Sequence, residues 1–223
     1  ANASGKTNAL KIIYRMAADK GGKVYYIDMT GNVLHLPEYE NAKVVRDYEE
    51  LNKMCEEIIP PLKSRNQRKK KMEEEDYAPE EIFLEFSKEQ PIFILIDELP
   101  TFLDKLQKAA DKYAIVKNIL ENFAEKGRLH KLYFIMTLDN AQAAQVGGYT
   151  FFQLLKNQIE GIQLGGNCIG QTILSFDKLN YKKQNQSLKP GYAFVSSIDE
   201  DAAEEVYVPV LKSKKSKEKE LRS

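Results

Sequence analysis

Five consecutive residues near the start of the chain, Ser4-Gly5-Lys6-Thr7-Asn8, have the types and order that end a phosphate-binding loop. Gly5 allows the backbone N–H groups to turn toward phosphate oxygens, Lys6 can reach the β- and γ-phosphates, and the Thr7 hydroxyl can ligate Mg²⁺. A helix that follows would add the positive end of its dipole. The alternative is an ordinary helix start, because Ser and Thr cap helices in proteins of every kind.

The complete pattern, G-x-x-x-x-G-K-[ST], has a further glycine five positions before Gly5, which falls one position before Ala1. We therefore expect the motif to begin upstream of this chain. We also expect a β-strand that ends in that glycine to be the first strand of the sheet.

A second pattern lies about ninety residues later, where the apolar run Pro91–Ile96 ends in Asp97 and Glu98. Continuous apolar runs of this length are typical of central strands in a parallel sheet. Ligands bind at the carboxyl ends of such strands, so both carboxylates would lie near Lys6. Asp97 would hold Mg²⁺ through water, and Glu98 would orient or deprotonate an attacking water. The alternative is a core strand that ends in two solvated acids.

Composition sets the limits of the fold and of the function. With 223 residues, 43% of them hydrophobic, the chain is long enough for one α/β domain with a large core. Lys plus Arg and Asp plus Glu both total 33, so no overall field attracts nucleic acid or an anionic membrane. Cys55 and Cys168 have no metal-binding spacing, which indicates reduced thiols. His35 and His130 have no partner ligands in the sequence, and we interpret both as structural.

Strands and helices alternate along the rest of the chain. After a first helix over Thr7–Ala18 come strands at 23–28 and 44–45, and a helical region from Asp47 to Lys71 that we expect Pro60-Pro61 to interrupt. Two helices over 99–125, a strand over 132–137, a helix over 141–155 broken near Gly147-Gly148 and a strand over 159–164 follow. We predict a helix over 169–176, and strands over 192–195 and 206–210 that close the same sheet. The prediction is one domain over 1–211 and a disordered charged tail over 212–223.

The order of these features resembles the motor domain of the FtsK/SpoIIIE ATPases, from Ala1 to about Val210. The resemblance rests on Ser4–Thr7, the charged helix ending in Lys63–Arg68, the strand that ends in Asp97-Glu98, and the segments Phe123–His130, Leu132–Thr137 and Lys189–Ala193. It implies an α/β P-loop NTPase fold of the RecA/FtsK kind, with a central, mainly parallel sheet flanked by helices.

The resemblance also implies the site and its cofactors, ATP and Mg²⁺. Walker A residues Ser4, Gly5, Lys6, Thr7 and Asn8 would bind the nucleotide. Walker B residue Asp97 would join Thr7 in holding Mg²⁺ through water, and Glu98 would be the catalytic carboxylate.

One departure separates two branches of this family. In the DNA-pumping branch, a Gln-Arg-Pro segment that senses the γ-phosphate follows the strand equivalent to Leu132–Thr137, whereas this chain has Leu138-Asp139-Asn140. Leu138 cannot donate a hydrogen bond. An ionised Asp139 would repel a phosphoryl oxygen, by roughly 4 kcal/mol at about 4 Å and an effective dielectric near 20. Only Thr137 or Asn140 could substitute, so we expect nucleotide binding with slow turnover.

Such altered sites are typical of the other branch, the membrane-bound type VII secretion ATPases of the EssC/EccC kind, which export small helical proteins. The resemblance therefore implies a cytoplasmic domain of a membrane-anchored protein. Its partners would be adjacent ATPase domains of the same protein and small secreted helical proteins, with a hexamer in the full-length protein. The alternative is a degenerate P-loop module that binds substrate protein or regulates its neighbours, and a DNA translocase motor is a third option.

Two surface features bear on these partners. The basic run Lys63–Lys71 could contact DNA, but acidic residues follow it at once and no aromatics are interleaved, so we expect no specific nucleic-acid binding. A solvated helix face or a contact with a neighbouring domain are the alternatives. Phe151, Phe152, Leu154 and Leu155 could form an apolar groove for a helical peptide or could simply pack in the core.

Overall fold

A computed structural model describes residues 5–31, 33, 36–156, 159–177, 179–196 and 204–210. Ser4, His35 and the predicted tail over 212–223 lie outside these residues. In the described chain, no helix combines the length and apolarity that membrane crossing requires.

The described residues form eight α-helices and seven strands. The helices are α1 (Lys6–Asp19), α2 (Tyr48–Glu74), α3 (Pro79–Ser87), α4 (Leu99–Lys108), α5 (Ala110–Lys126), α6 (Ala143–Val146), α7 (Thr150–Leu155) and α8 (Tyr181–Asn185). The strands are β1 (Lys23–Ile27), β2 (Ala42–Val45), β3 (Ile92–Ile96), β4 (Leu132–Met136), β5 (Gly161–Gly166), β6 (Leu188–Ser196) and β7 (Glu204–Tyr207).

Four strands form a parallel sheet in the order β2-β1-β3-β4. Ile96, the last residue of β3, is in register with Ile27 of β1 and with Met136 of β4. The carboxyl ends of these three strands therefore meet at one edge of the sheet. Asp97 directly follows the central strand at this edge, as the apolar run predicts.

Helices cover both faces of this sheet, because alternate residues of each strand point to opposite sides. Leu95 packs in one cluster with Leu10 and Tyr14 of α1. Ile94 and Ile96 pack in the other cluster, together with residues of α2, α4 and α5. The result is the three-layer arrangement of an α/β protein, in which α1 and β3 are held in direct contact.

The prediction that the C-terminal strands close the same sheet is wrong. Strands β5, β6 and β7 form a separate antiparallel sheet in which Leu164 pairs with Ala193 and Ala193 pairs with Val206. This sheet has its own small core around Phe176, Leu188 and Phe194. The connection from Ser196 to Glu204 is too short for the crossover that a parallel pair needs, so β6 and β7 pair antiparallel, whereas β5 pairs with β6 across a longer connection.

Two other sequence predictions are wrong. Pro60 and Pro61 lie inside a continuous α2 and do not interrupt it. Pro60 is exposed, so water can reach the carbonyl group that its missing N–H would otherwise bind. The segment 169–176 is not helical, because Gly170 has a φ of 74° and the Gln171 side chain accepts the N–H of Ile173 in a local turn.

The basic end of α2 contains a buried charge that the sequence did not reveal. Arg65 is 5% exposed and donates to Glu89 at 2.9 Å, to the carbonyl of His130 at 2.6 Å and to that of Gln90 at 2.7 Å. Arg68 pairs with the same Glu89. These bonds join α2 to the segments that enter β3 and β4. Arg65 thus belongs to the framework of the domain rather than to a solvated face.

Candidate functional site

The start of α1 has the backbone that an anion site needs. Gly5 adopts a left-handed conformation with φ of 93°, which glycine reaches without steric cost. The N–H of Ala9 closes the first helical turn on the Gly5 carbonyl at 2.8 Å. The N–H groups of residues 6–8, which precede Ala9, have no acceptor within the helix. The first turn itself contributes no acidic side chain, and the positive end of the helix dipole lies there.

Asp97 is the best-positioned carboxylate of the site. It is 4% exposed, and three hydroxyl groups point to it. Its Oδ1 accepts from Thr137 at 2.7 Å and from Thr7 at 3.4 Å, and its Oδ2 accepts from Tyr26 at 3.4 Å. Burial and then the nearby carboxylates of Asp97 and Asp28 raise the pKa of Tyr26 above its ordinary range. Tyr26 therefore remains a neutral hydrogen-bond donor.

The donor set of Thr7 and Asp97 fits a hydrated Mg²⁺. Both supply oxygen atoms, which this cation prefers, and their 3.4 Å separation places them side by side. Mg²⁺ retains most of its water when it binds to proteins. One hydroxyl and one carboxylate of the protein, together with the phosphates of a bound nucleotide, are therefore sufficient ligands.

Glu98 occupies an unusual backbone position next to Asp97. It has φ of 54° and ψ of 66°, a left-handed conformation that is uncommon for a non-glycine residue and is enriched at functional sites. Its N–H donates to the Thr137 hydroxyl at 2.8 Å. Its side chain is exposed and does not cap α4. The Glu98 carboxylate is thus accessible to solvent beside Asp97.

Lys6 pairs with Asp139. The distance from Lys6 Nζ to Asp139 Oδ2 is 3.6 Å, and both side chains are more than three-quarters buried. Asp139 is held in place because its Oδ1 also accepts the N–H of Ala141 at 3.1 Å. A carboxylate of the protein therefore lies against the ammonium group that the motif assigns to phosphate. The sequence predicts only that Asp139 repels phosphate; it does not reveal this pairing with Lys6, because the two residues are far apart in the chain.

Both substitutes proposed for the γ-phosphate sensor make hydrogen bonds within the protein. The Thr137 hydroxyl is committed to Asp97, and the Asn140 amide donates to the carbonyl of Gly170 at 3.2 Å. Asn8, predicted to bind nucleotide, donates its amide to the carbonyl of Pro209 at 2.8 Å. The structure thus brings together Gly5, Lys6, Thr7, Asp97 and Glu98, and directs the Asn8 side chain elsewhere.

A cleft of about 970 Å³ adjoins this site. Lys6, Thr137 and Asp139 line its polar part, and the whole of β4 lines it along its length. In the described residues, β3 is the only strand that pairs with β4. The strand expected before Ala1 remains a prediction.

The residues proposed for a peptide groove are mostly core residues. Phe151 is 2% and Phe152 is 6% exposed, and both belong to the main hydrophobic cluster, as do the half-buried Leu154 and Leu155. Core packing therefore accounts for most of these side chains, but Phe152 and Leu155 also line the cleft beside Lys6, and a peptide groove there stays a prediction. A short helix on an α/β sheet buries a wide apolar stripe, which accounts for their composition.

No protein-family model and no curated protein matches the sequence, but solved structures match it over nearly its whole length. The cytoplasmic domain of EssC covers 95% of this chain with a TM-score of 0.73 and 15% identity. The pCW3 conjugation coupling protein TcpA, a monomer solved with ATPγS, covers 100% with a TM-score of 0.66 and 18% identity. ATPases 2 and 3 of Thermomonospora curvata EccC, solved with a signal sequence peptide, cover 95% with a TM-score of 0.66 and 15% identity.

These similarities define the class of the fold, which is that of P-loop ATPase domains, with a parallel sheet flanked by helices. The fold predicted from the sequence is thereby confirmed, as is the structural resemblance to the ATPase domains of EssC, EccC and an FtsK-like coupling protein. The chain spans 38% of the EssC chain, 63% of the TcpA chain and 36% of the EccC chain.

Proposed function

We propose that this chain is the ATP-binding domain of a membrane-associated secretion ATPase. The observation that carries the proposal is the contact between Thr7 and Asp97 at the start of α1, with Glu98 beside them. ATP bound with Mg²⁺ supplies a phosphoryl group for transfer to water. Lys6 and the first N–H groups of α1 would hold the phosphates, Thr7 and Asp97 would hold the hydrated cation, and Glu98 would orient the water.

The secretion assignment is supported by the proteins that share the fold. EccC of Thermomonospora curvata is a type VII secretion ATPase, and the EssC structure is a cytoplasmic domain. By analogy, the domain drives or regulates the export of small helical proteins on the cytoplasmic side of a membrane. Its partners would be adjacent ATPase domains of the same protein, in a hexamer of the full-length protein.

A second candidate is a module that binds nucleotide with little turnover and recognises a protein segment. The pairing of Lys6 with Asp139 favours it, because a carboxylate competes with phosphate for the same ammonium group. The signal peptide in the EccC complex supports a peptide ligand. Titrating C-terminal segments of small secreted helical proteins, with and without ATP, separates the two candidates. Peptide binding without hydrolysis favours this module, and Mg²⁺-dependent hydrolysis favours the ATPase.

We expect Lys6→Ala to weaken ATP binding at least tenfold, about 1.4 kcal/mol. The substitution removes a charged phosphate contact and leaves the Asp139 carboxylate near the phosphates without its cation. Lys11→Ala is the matched control, since it removes the same side chain from the next turn of α1. Isothermal titration calorimetry with ATP and Mg²⁺ measures both. Equal affinities of the parent and Lys6→Ala would contradict the proposed nucleotide site.

We expect turnover by the isolated domain to lie well below the enzyme median of about 10 s⁻¹, and Glu98→Gln to abolish it. ATP affinity should stay nearly unchanged, because the Glu98 backbone and not its side chain holds Thr137. Asp104→Asn, which removes an exposed carboxylate from α4, is the control. Phosphate release at saturating ATP is the measurement. Retained turnover in Glu98→Gln would rule out Glu98 as the catalytic carboxylate.

A further inference from the structure

A second, smaller cavity lies between α4, α5 and the start of α7. Its volume is about 270 Å³, and it shares no lining residue with the cleft beside Lys6. Leu103, Leu106, Tyr149 and Phe151 form its apolar walls. Gln107, Lys117, Glu121 and Thr150 form its polar side. The cavity therefore combines apolar walls with a polar side that includes a carboxylate.

One oxygen of that carboxylate has no hydrogen-bond partner. Glu121 Oε1 is buried, and none of the described residues donates to it. A carboxylate oxygen removed from water is costly unless a donor or a cation satisfies it. This oxygen lines a cavity, so a group that enters from outside can supply the donor.

The nearest lysine on the same helix leaves this oxygen free. Lys117 lies four residues before Glu121 and lines the same pocket, a spacing at which opposite charges often pair on a helix. Its ammonium group instead donates to Gln107 of α4 at 3.2 Å. The order Lys before Glu is also the weaker of the two orientations for such a pair. Glu121 therefore remains the acceptor for a ligand.

We propose that this pocket receives an arginine side chain from a protein partner, with its guanidinium group on Glu121. A volume of about 270 Å³ lies just below the usual range for small-molecule sites and suits one long side chain. The methylene stem would contact Leu103 and Leu106. The planar guanidinium group can stack on an aromatic face such as that of Tyr149 while it donates to a carboxylate. Arginine suits the site better than lysine because it is less strongly hydrated and its charge is spread.

The ligand specificity can be tested on the unaltered 223-residue chain. Nα-acetylarginine amide and Nα-acetylcitrulline amide have nearly the same shape, but only the first carries a positive charge. We expect the arginine compound to produce saturable NMR shifts at Glu121 and Tyr149, and the citrulline compound to bind at least tenfold more weakly. If water alone satisfies the pocket, neither compound will produce saturable shifts, and that result would overturn the proposal. Equal binding of the two compounds would overturn it as well.

A variant pair tests the residue. Glu121→Gln keeps the size of the side chain and removes its charge, and we expect it to weaken binding of the arginine compound at least tenfold. Glu125→Gln removes a carboxylate from the exposed position one turn later on α5 and should bind as the parent does. Far-ultraviolet circular dichroism verifies that both variants are folded. Unchanged affinity in a folded Glu121→Gln would refute the role of Glu121. Since ATP binding is measured separately, failure here leaves the nucleotide site unaffected.

Discussion

Asp97 accepts hydrogen bonds from hydroxyl groups that three different elements supply. Thr7 belongs to α1, Tyr26 to β1, and Thr137 follows β4. Thr137 in turn accepts the N–H of Glu98, so the orientation of one acid is coupled to the backbone of the next. Of these residues, Thr7, Asp97 and Glu98 could be predicted because they occur in local motifs. Tyr26 could not, because the sequence does not reveal that β1 lies beside β3.

The pairing of Asp139 with Lys6 leads to a prediction about a single side chain. We expect Asp139→Asn to raise ATP affinity about tenfold, or about 1.4 kcal/mol. The amide keeps an oxygen for the N–H of Ala141, but it neither holds Lys6 as an ion pair nor repels phosphate. Calorimetry with ATP and Mg²⁺ measures the change.

A double-mutant cycle determines how the effect of Asp139 arises. If Asp139 acts by occupying Lys6, the gain from Asp139→Asn should shrink in the Lys6→Ala background. If it acts by repelling phosphate directly, the gain should persist there. A fall in ATP affinity for the single Asp139→Asn variant would show instead that this carboxylate assists binding.

At the level of elements, α2 illustrates what sequence periodicity misses. Its apolar spacing correctly predicts the buried residues Leu51, Met54 and Ile58. The two prolines predict an interruption, but the helix continues through them. It tolerates them because Pro60 is exposed. The helix predicted over 169–176 failed for a related reason, since Gly170 and the side chain of Gln171 stabilise turns that apolar spacing does not register. Periodicity identifies which residues are buried more reliably than which backbone conformation they adopt.

The Arg65 network provides a prediction about how elements are joined. We expect Arg65→Met to lower the free energy of unfolding by about 3 kcal/mol or more, because it leaves Glu89 and two carbonyl groups without their buried donor. Lys63→Met, at an exposed position of the same helix, should change it by less than about 0.5 kcal/mol. Urea denaturation followed by circular dichroism measures both. A change of similar small size for Arg65→Met would mean that α2 docks by apolar packing alone.

At the level of the whole molecule, the parallel sheet could be predicted and the second sheet could not. The continuous apolar runs of β3 and β4 indicate a parallel core, and the order of the motifs places the site at its carboxyl edge. The C-terminal strands lack such a signature. Their separation into an antiparallel sheet depends on the pairing of Gly161–Gly166 with Leu188–Ser196 across a long connection. Pairing of this kind is a tertiary property that no local pattern encodes.

The distribution of charge gives the last prediction, that duplex DNA binds neither tightly nor specifically. Positive and negative residues balance at 33 each, and most of the basic run on α2 is already paired. Arg65 and Arg68 contact Glu89, Lys69 contacts Glu73 and Lys71 contacts Glu75. Few cations of this basic run therefore remain to release counterions, and the dissociation constant at physiological salt should be no tighter than the nonspecific range of about 10⁻⁴ to 10⁻⁶ M. Fluorescence anisotropy of a labelled duplex over a range of salt concentrations measures both the affinity and the slope of its salt dependence.

A double variant tests the role of the ion pairs on α2. Glu73→Gln with Glu75→Gln, which frees Lys69 and Lys71, should steepen the salt dependence relative to the parent. A parent slope equivalent to six or more released counterions would instead support a DNA translocase.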